Sequence, residues 1–377
     1  MTKIINVKFF YILTLTFLLL LSFNPTESGE SFFSLYLRLM PFVLFLLLII
    51  FSNLDVKFSL IGLIVTVFLC IYLAVINISE PSKRLTLQLV SVVLMFIVAS
   101  IISNNDDEKE NFNLVLSSLI IIWVTLLVTQ VLSYYILDVV INVHSIVFPL
   151  SEARGLSVGN MRFGGLQIEP GTYSNWIFGV VVLRSFLIRR ISTPLHWLAV
   201  GSMLLTLSFW AYISVVFFII AASLEKKRIE QIKLFSIVML LIIIVYFLAG
   251  DYLASFLLNR SQLNTPTATG KLEVYSYMLS HYQEWLLLGS SLKSKPCDAC
   301  SSWQDAGVGV NLMFYFGLLM IFIYIKLILN SVRYLGFKVI FLIIPIFIAK
   351  YYYWDPITVM LVVFILVYPI GFKKTLP

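Results

Sequence analysis

The sequence predicts an all-α polytopic integral membrane protein, with about twelve transmembrane helices and two long loops on the outer side. Of its 377 residues, 60% are apolar and only 12% are charged, whereas a soluble domain has about 45–50% apolar and about 25% charged residues. This surplus of apolar surface excludes most soluble proteins and indicates a bilayer as the solvent. The apolar residues also fall in blocks near the length of roughly 20 residues that a membrane-crossing helix needs. We therefore expect one membrane domain over 1–377.

Eleven apolar blocks divide the chain. The first follows Lys3 and Lys8 and resembles a signal peptide, but Phe23-Asn24-Pro25 offers no small-residue cleavage site. We therefore expect an uncleaved first helix. The blocks cover 6–23, 35–51, 58–78, 85–102, 114–136, 173–188, 194–224, 234–248, 308–329, 339–349 and 357–370.

The block over 194–224 decides the number of spans. Arg189 and Arg190 come just before it, and the basic run 226–228 comes just after it. Basic clusters favour the cytoplasmic side, so a single span would leave one of them on the wrong side. Two short helices with a turn near Thr206-Leu207-Ser208 would keep both basic clusters on the cytoplasmic side. This division brings the number of predicted spans to twelve.

Most of the cations serve only to orient the chain. If the N-terminus is placed in the cytoplasm, 16 of the 26 lysines and arginines fall on the cytoplasmic side. The C-terminus is then expected in the cytoplasm as well. Arg184, near an inner helix end, is expected to snorkel. The charge run 104–110 is expected to form a solvated inner turn. The basic residues are scattered and line no aromatic-studded face, so the net charge of +7 does not indicate nucleic-acid binding.

Two long outer segments, 143–172 and 250–307, are where function is expected, because long loops are more often sites than connectors. The first contains Arg154 and Arg162 among five glycines, just before a membrane helix. Arginine binds phosphate oxygens bidentately, which predicts a phosphate-bearing ligand at the outer surface. Alternatively, each arginine snorkels or pairs with Glu152 or Glu169.

The second outer segment contains Arg260 and a predicted amphipathic helix over 271–288. Its apolar face consists of Leu272, Tyr275, Leu279, Tyr282 and Leu286. This helix would lie on the outer leaflet or over a cavity. His281 on the helix is either structural or a proton acceptor.

Five further side chains belong to the outer side. Asp305 precedes a membrane helix and would be either a base that activates the acceptor or the N-cap of that helix. Cys297 and Cys300 form either a local disulfide or two free thiols. Asp138 and His144 are second-tier candidates at the outer end of the fifth span. The three histidines stand far apart in the sequence, so we expect no histidine-built metal centre.

The first outer loop contains Arg162-Phe163-Gly164-Gly165 and Glu169-Pro170-Gly171, and from Arg154 to Gly165 it has an arginine followed by ten residues and a glycine. These motifs resemble the signature of Wzy-type O-antigen and capsular polysaccharide polymerases. From Arg260 to Gly270 this spacing is one residue short. The layout of a twelve-span chain with two long outer loops is also similar to that family. The resemblance covers this layout and roughly 100 residues around the two loops.

The resemblance implies a GT-C-like glycosyltransferase of the bacterial inner membrane, with a periplasmic active site. Its substrates would be undecaprenyl-pyrophosphate-linked oligosaccharides, the growing glycan moving to the non-reducing end of an incoming unit. It would need no metal or other cofactor, and its partners would be membrane lipids and a chain-length regulator. The implied catalytic residues are Arg162, Glu169, Asp305 and His281, and the implied pyrophosphate-binding residues are Arg154, Arg260, Gly164, Gly165 and Tyr173.

Two other functions compete with polymerisation. An O-antigen ligase shares the donor but transfers the glycan to a lipid A core. A lipid-linked oligosaccharide flippase, or another transporter, would move its substrate without making a bond. Transport is less favoured because transporters often show matched, Gly/Pro-interrupted spans in two halves, and no internal repeat is visible here.

Overall fold

The computed structural model is helical throughout the residues that it describes, which are 43, 67, 71, 83–104, 106–147, 156, 162–225, 266–290, 306–349, 351 and 355–367. No strand occurs in these ranges. Twelve α-helices lie there, together with a 3₁₀ turn at Phe337–Val339: α1 (Lys83–Asn104), α2 (Asp106–Leu137), α3 (Val143–Val147), α4 (Pro170–Ile188), α5 (Pro194–Leu204), α6 (Phe209–Ser223), α7 (Pro266–Ser280), α8 (Tyr282–Trp285), α9 (Val308–Phe316), α10 (Leu318–Leu335), α11 (Ile340–Ile348) and α12 (Pro356–Val367).

Two helices of the described part, α2 and α10, are long and apolar enough to cross a membrane. The predicted all-helical fold is confirmed for the described residues. The count of twelve spans stays a prediction. The predicted spans 6–23, 35–51, 58–78 and 234–248 lie outside the described residues, apart from the helical positions Val43, Val67 and Ile71.

The predicted division of 194–224 into two helices is confirmed. Helix α5 ends at Leu204 and α6 begins at Phe209, with a turn over 205–208. The Thr193 hydroxyl caps α5 by accepting the His196 N–H at 3.2 Å, and Pro194 follows as the first helical residue. At the turn, the Thr206 hydroxyl lies 3.1 Å from that of Ser174 and so fixes the turn against α4.

The charge run 104–110 differs from its prediction as a solvated turn. Helix α1 ends at Asn104, and Asp106, Asp107 and Glu108 form the first turn of α2. Acidic side chains at a helix N-terminus are stabilised by the helix dipole, so this run starts a helix. Glu108 is buried.

Helix α4 lies at the centre of the bundle. It packs against α2, α5, α6, α11 and α12, and every side chain from Tyr173 to Leu183 is buried. Gly179 permits close approach, because a Cβ there would lie 2.7 Å from the Ile357 side chain. The Tyr351 hydroxyl donates to the Asn175 carbonyl and so ties the segment before α12 to the start of α4.

The opposite end of α4 is held by two polar networks. The guanidinium of Arg184 donates to Ser117 at 3.0 Å and to His196 Nε2 at 3.0 Å, so it joins α2, α4 and α5 and does not snorkel as predicted. Glu225 accepts the Ser192 N–H at 2.6 Å and an Lys338 N–H at 3.0 Å. Burial alone would raise the Glu225 pKa, but the backbone amides of residues 191–192 and the Lys338 ammonium outweigh burial and lower it.

Candidate functional site

The Gly164-Gly165 segment forms a tight turn that is fixed to α2 by Gln130. The Gly164 carbonyl accepts the Gln167 N–H at 2.9 Å, and Gly165 has a φ of +58°. The Gln130 Oε1 accepts the Gly165 N–H at 2.9 Å, while its Nε2 donates to the Ile141 carbonyl at 2.9 Å. A Cβ at Gly165 would lie 3.3 Å from the Leu127 backbone. The turn therefore needs glycine for both its conformation and its packing.

Two further contacts hold this turn in place. The buried ring of Phe163 packs against Tyr134 and Tyr135, with ring centroids 5.5 and 6.1 Å apart. The His144 Nδ1 lies 2.7 Å from the Leu166 carbonyl oxygen. Because a carbonyl oxygen only accepts, Nδ1 carries the proton. His144 thus braces the first loop from the short helix α3, while Asp138 is exposed just after α2.

Arg162 is half-buried directly before this rigid turn. Its neighbour Phe163 is only 1% exposed, so the backbone that carries the guanidinium is anchored. Arg162 and Glu169 form no ion pair with each other, although the structure describes both. The structure therefore does not pair Arg162 with Glu169, and what the turn fixes is the backbone next to Arg162.

Glu169 is the N-cap residue of α4 and is half-buried. Its carboxylate makes no capping bond to the helix backbone and accepts from the Thr172 hydroxyl at 3.2 Å. Arg162 and Glu169 thus lie at the two ends of one short braced segment, which carries a guanidinium at one end and a carboxylate at the other.

Three predicted ligand-binding residues, Tyr173, Gly165 and Gly164, have internal roles here. Tyr173 is fully buried, and its hydroxyl lies 2.8 Å from that of Ser202 on α5. Its side chain therefore holds α4 to α5 and is not exposed to a ligand. The Gly165 N–H is bonded to Gln130, so that amide is not available to a pyrophosphate. Gly164 is also buried, and a Cβ there would lie 2.9 Å from the Gln167 carbonyl oxygen.

The amphipathic helix predicted over 271–288 is present as α7 and α8, which meet at His281. The predicted apolar face is partly wrong, because Leu279 and Tyr282 are exposed, and the buried side chains are Val274, Met278 and Trp285. The His281 ring stacks on Tyr277 at 4.0 Å, and its Nδ1 lies 2.8 Å from the Ser280 hydroxyl. His281 is half-buried at this break, and its catalytic role stays a prediction.

Five predicted site residues lie outside the described part of the chain, namely Arg154, Arg260, Cys297, Cys300 and Asp305. Within the described part, no group of three or more His, Cys, Asp or Glu side chains could hold a metal ion. Comparison of the chain with protein-family models, with curated proteins and with solved structures found no match.

Gln130 and the contact of His144 with the loop are parts of the site that sequence reasoning missed. The available signal for Gln130 was an amide side chain within an otherwise apolar span, where polar groups are costly and usually have a partner. Its partners, however, are 35 and 11 residues away along the chain. No local pattern contains that information.

We expect Gln130→Leu to loosen the turn that carries Arg162. The change leaves the Gly165 N–H and the Ile141 carbonyl without their partner, and a buried unsatisfied group costs about 1–3 kcal/mol. The unfolding temperature of the purified protein should therefore fall. The matched control is Thr129→Leu, at an exposed position one residue earlier on the same helix. Equal unfolding temperatures for the two variants would contradict the bracing role.

Proposed function

We propose that this chain is a bacterial inner-membrane polysaccharide polymerase, which acts on undecaprenyl-pyrophosphate-linked repeat units of O-antigen or capsule. It would cross the membrane about twelve times, with both termini in the cytoplasm and the reaction at the periplasmic surface. The observation that carries the proposal is the braced turn, which lies between Arg162 and Glu169 in the chain and is anchored to α2 of an apolar helical bundle.

The distribution of charge along the bundle is consistent with this orientation. Arg184, Arg189 and Lys338 belong to the opposite end of α4 from the braced turn, where they bond to groups of the inner connections. Cations concentrate on the cytoplasmic side of membrane proteins. The end with Arg162 would then be periplasmic, on the side where a polymerase meets its lipid-linked substrate.

The proposed reaction replaces one bond to an anomeric carbon by another. A hydroxyl oxygen of the acceptor sugar attacks the anomeric carbon of the donor glycan, and the bond between that carbon and the pyrophosphate oxygen breaks. Arg162 stabilises the negative charge that develops on the departing pyrophosphate, with Arg154 and Arg260 as further cations. The acceptor proton passes to a carboxylate, for which Glu169 and Asp305 are the leading candidates and His281 the third.

No metal is required in this scheme, since guanidinium groups supply the positive charge and the lipid pyrophosphate is already an activated leaving group. The proposed partners are the lipid-linked oligosaccharides, the surrounding lipids and a chain-length regulator. Glu169 is the carboxylate nearest to Arg162 in the sequence, which makes it the first candidate to test as the proton acceptor.

Purified protein in detergent, given undecaprenyl-pyrophosphate-linked repeat units alone, tests the proposal. We expect glycans of several repeat units that remain attached to the lipid carrier. A flippase would make no glycosidic bond under these conditions, and a ligase would form product only when a lipid A core acceptor is added. Either of those results would overturn the polymerase function.

A further inference from the structure

The apolar block predicted as one span over 308–329 is a helical hairpin that breaks at Gly317. Helix α9 ends just before this glycine, whose φ is +57°, and α10 begins just after it. The Tyr324 hydroxyl donates to the Gly309 carbonyl at 2.6 Å, and the two residues lie at similar distances along the chain from Gly317. Helix α10 therefore folds back beside α9, and the two helices do not form one straight span.

The break in the hairpin is sealed by backbone of the second outer loop. The Leu318 N–H donates to the Leu286 carbonyl at 2.6 Å, and the Ser290 N–H donates to the Phe314 carbonyl at 2.8 Å. The backbone of 286–290 thus bonds backbone groups on both sides of the break, and this joint fixes the point at which α10 begins.

Helix α10 alone is long enough to cross a bilayer. Its 18 residues extend about 27 Å, close to the roughly 30 Å of hydrocarbon in a membrane. Near its end, Asn330 Nδ2 donates to the Ile365 carbonyl at 3.3 Å, and the Tyr334 hydroxyl accepts from Arg189 Nε at 2.7 Å. Helix α10 therefore finishes at the same end of the bundle as α4 and α12.

Lys326 lies in the middle of α10 and is exposed. It is about 12 Å from the start of the helix and about 14 Å from its end. A lysine side chain extends about 6 Å, so snorkelling would not bring the ammonium group to either end of the helix. A span formed by α10 thus holds a cation near the bilayer centre, where charge is costly and is typically functional.

The surface around Lys326 is otherwise apolar. Side chains three or four positions apart share one face of a helix. The exposed face with this spacing, the Lys326 face, consists of Leu319, Phe322, Lys326 and Leu329. Its three apolar members are 39%, 68% and 51% exposed. Among the residues that the structure describes, none forms an ion pair with Lys326.

The apolar blocks of this chain cannot supply a negative charge at that depth. None of the eleven blocks contains an aspartate or a glutamate, including those outside the described residues. A second copy has the same sequence, so its spans lack carboxylates too. Asp355 lies between two blocks, but it is only 2% exposed and forms no ion pair with Lys326. Lipid acyl chains are uncharged, so the counter-charge has to come from another protein.

We propose that the Lys326 face is a docking surface for a transmembrane helix of another protein, with a carboxylate near the centre of that helix. An ion pair with Lys326 would compensate both charges inside the bilayer, where ionisable side chains pair with one another. Leu319, Phe322 and Leu329 would pack against the partner helix on either side of the ion pair. The inference rests on the membrane location proposed above and not on the polymerase reaction.

Designed peptides test the docking surface on the full chain in phosphatidylcholine liposomes. One peptide is a helix of about 20 leucines and alanines with a single glutamate at its centre, and a matched peptide has glutamine there. Energy transfer between labelled peptide and labelled protein measures binding. We expect the glutamate peptide to bind about tenfold more tightly, because polar contacts between membrane helices contribute on this scale.

Three variants of the chain assign this preference to one residue. Lys326→Met removes the charge and keeps a long side chain, so the preference should disappear. Lys326→Glu should reverse it, in favour of a peptide with a central lysine. Arg333→Met is the matched control, since it removes a cation from the last turn of the same helix, and the preference should persist.

Equal binding of the two peptides to the wild-type chain would overturn the docking surface, as would a preference that survives Lys326→Met. Self-association of the wild-type chain that Lys326→Met abolishes would assign the face to a second copy and overturn it as well. A chain that does not insert into liposomes would overturn the membrane location, and the docking surface with it. The polymerase assay in detergent is independent of all these results.

Discussion

Under the proposed function, we expect polymerisation to fall about 10²- to 10³-fold when Arg162 is replaced by alanine, because loss of a group that stabilises developing negative charge costs on this scale. The loss should reflect the missing guanidinium and not a disturbed loop, because Phe163 and Gly165 remain anchored to α2 by contacts that do not involve the Arg162 side chain. The measurement is the glycan ladder of a deletion strain that expresses the variant at a wild-type membrane level. We expect single repeat units on the carrier.

Two further variants test the chemistry of this loss. Arg162→Lys retains the charge but not the planar, bidentate geometry, so activity should be intermediate. Arg190→Ala removes an exposed arginine just beyond the other end of α4 and should leave the ladder unchanged. An unchanged ladder for Arg162→Ala would remove the basis of the proposed function, while long polymer left on the carrier would indicate a ligase.

The turn at 205–208 was predictable because it depends on information close by in the sequence. The apolar block is too long for one ordinary span, and its two ends carry the same sign of charge. Similarly, the helix Pro170–Ile188 was expected from the apolar block over 173–188 that follows the glycine-rich loop. In both cases, length, charge and a local breaker fix the element without reference to distant residues.

The break at Gly317 was not predictable, because an apolar run of 22 residues over 308–329 looks continuous. The break is stabilised by the carbonyl of Leu286 and the amide of Ser290, about 30 residues earlier in the chain. The apolar face of α7 and α8 was assigned partly wrong for a related reason. Two stripes, one through Leu279 and Tyr282 and the other through Met278 and Trp285, both fit helical spacing, and only the packing on α9 selects the second.

The same limit applies to the candidate site. Arg162 and Glu169 were identified from residue chemistry and from the resemblance of their loop to polymerase signatures. The groups that fix this loop, Gln130 and His144, act through hydrogen bonds to backbone atoms of Gly165 and Leu166. Every residue type has a backbone carbonyl, and every type except proline has a backbone N–H. The identity of a residue therefore does not show that its backbone is bonded to a distant side chain.

Gly289→Ala should destabilise the protein more than any other single glycine substitution at a described position, because Gly289 closes the joint with the broken helix. Its φ is +77°, and an added Cβ would overlap the Tyr315 carbonyl and lie 2.8 Å from the Phe316 amide nitrogen. These atoms belong to the backbone, so a rotamer change cannot relieve the overlap. A Cβ at Gly317 would in turn lie 2.5 Å from the Leu286 carbonyl oxygen, so the two glycines fit each other's backbones.

Gly336 offers a matched control, since its φ of +80° is almost the same but a Cβ there would have no atom within 4 Å. Gly336→Ala therefore measures the conformational cost alone, roughly 1–3 kcal/mol. Gly201→Ala, in open space within α5, should cost nothing or stabilise slightly. Thermal unfolding in detergent should rank the losses as Gly289, then Gly336, then Gly201. Equal unfolding temperatures for Gly289→Ala and Gly336→Ala would mean that the segment 286–290 does not close on α9, and the sealed break at Gly317 would have to be abandoned.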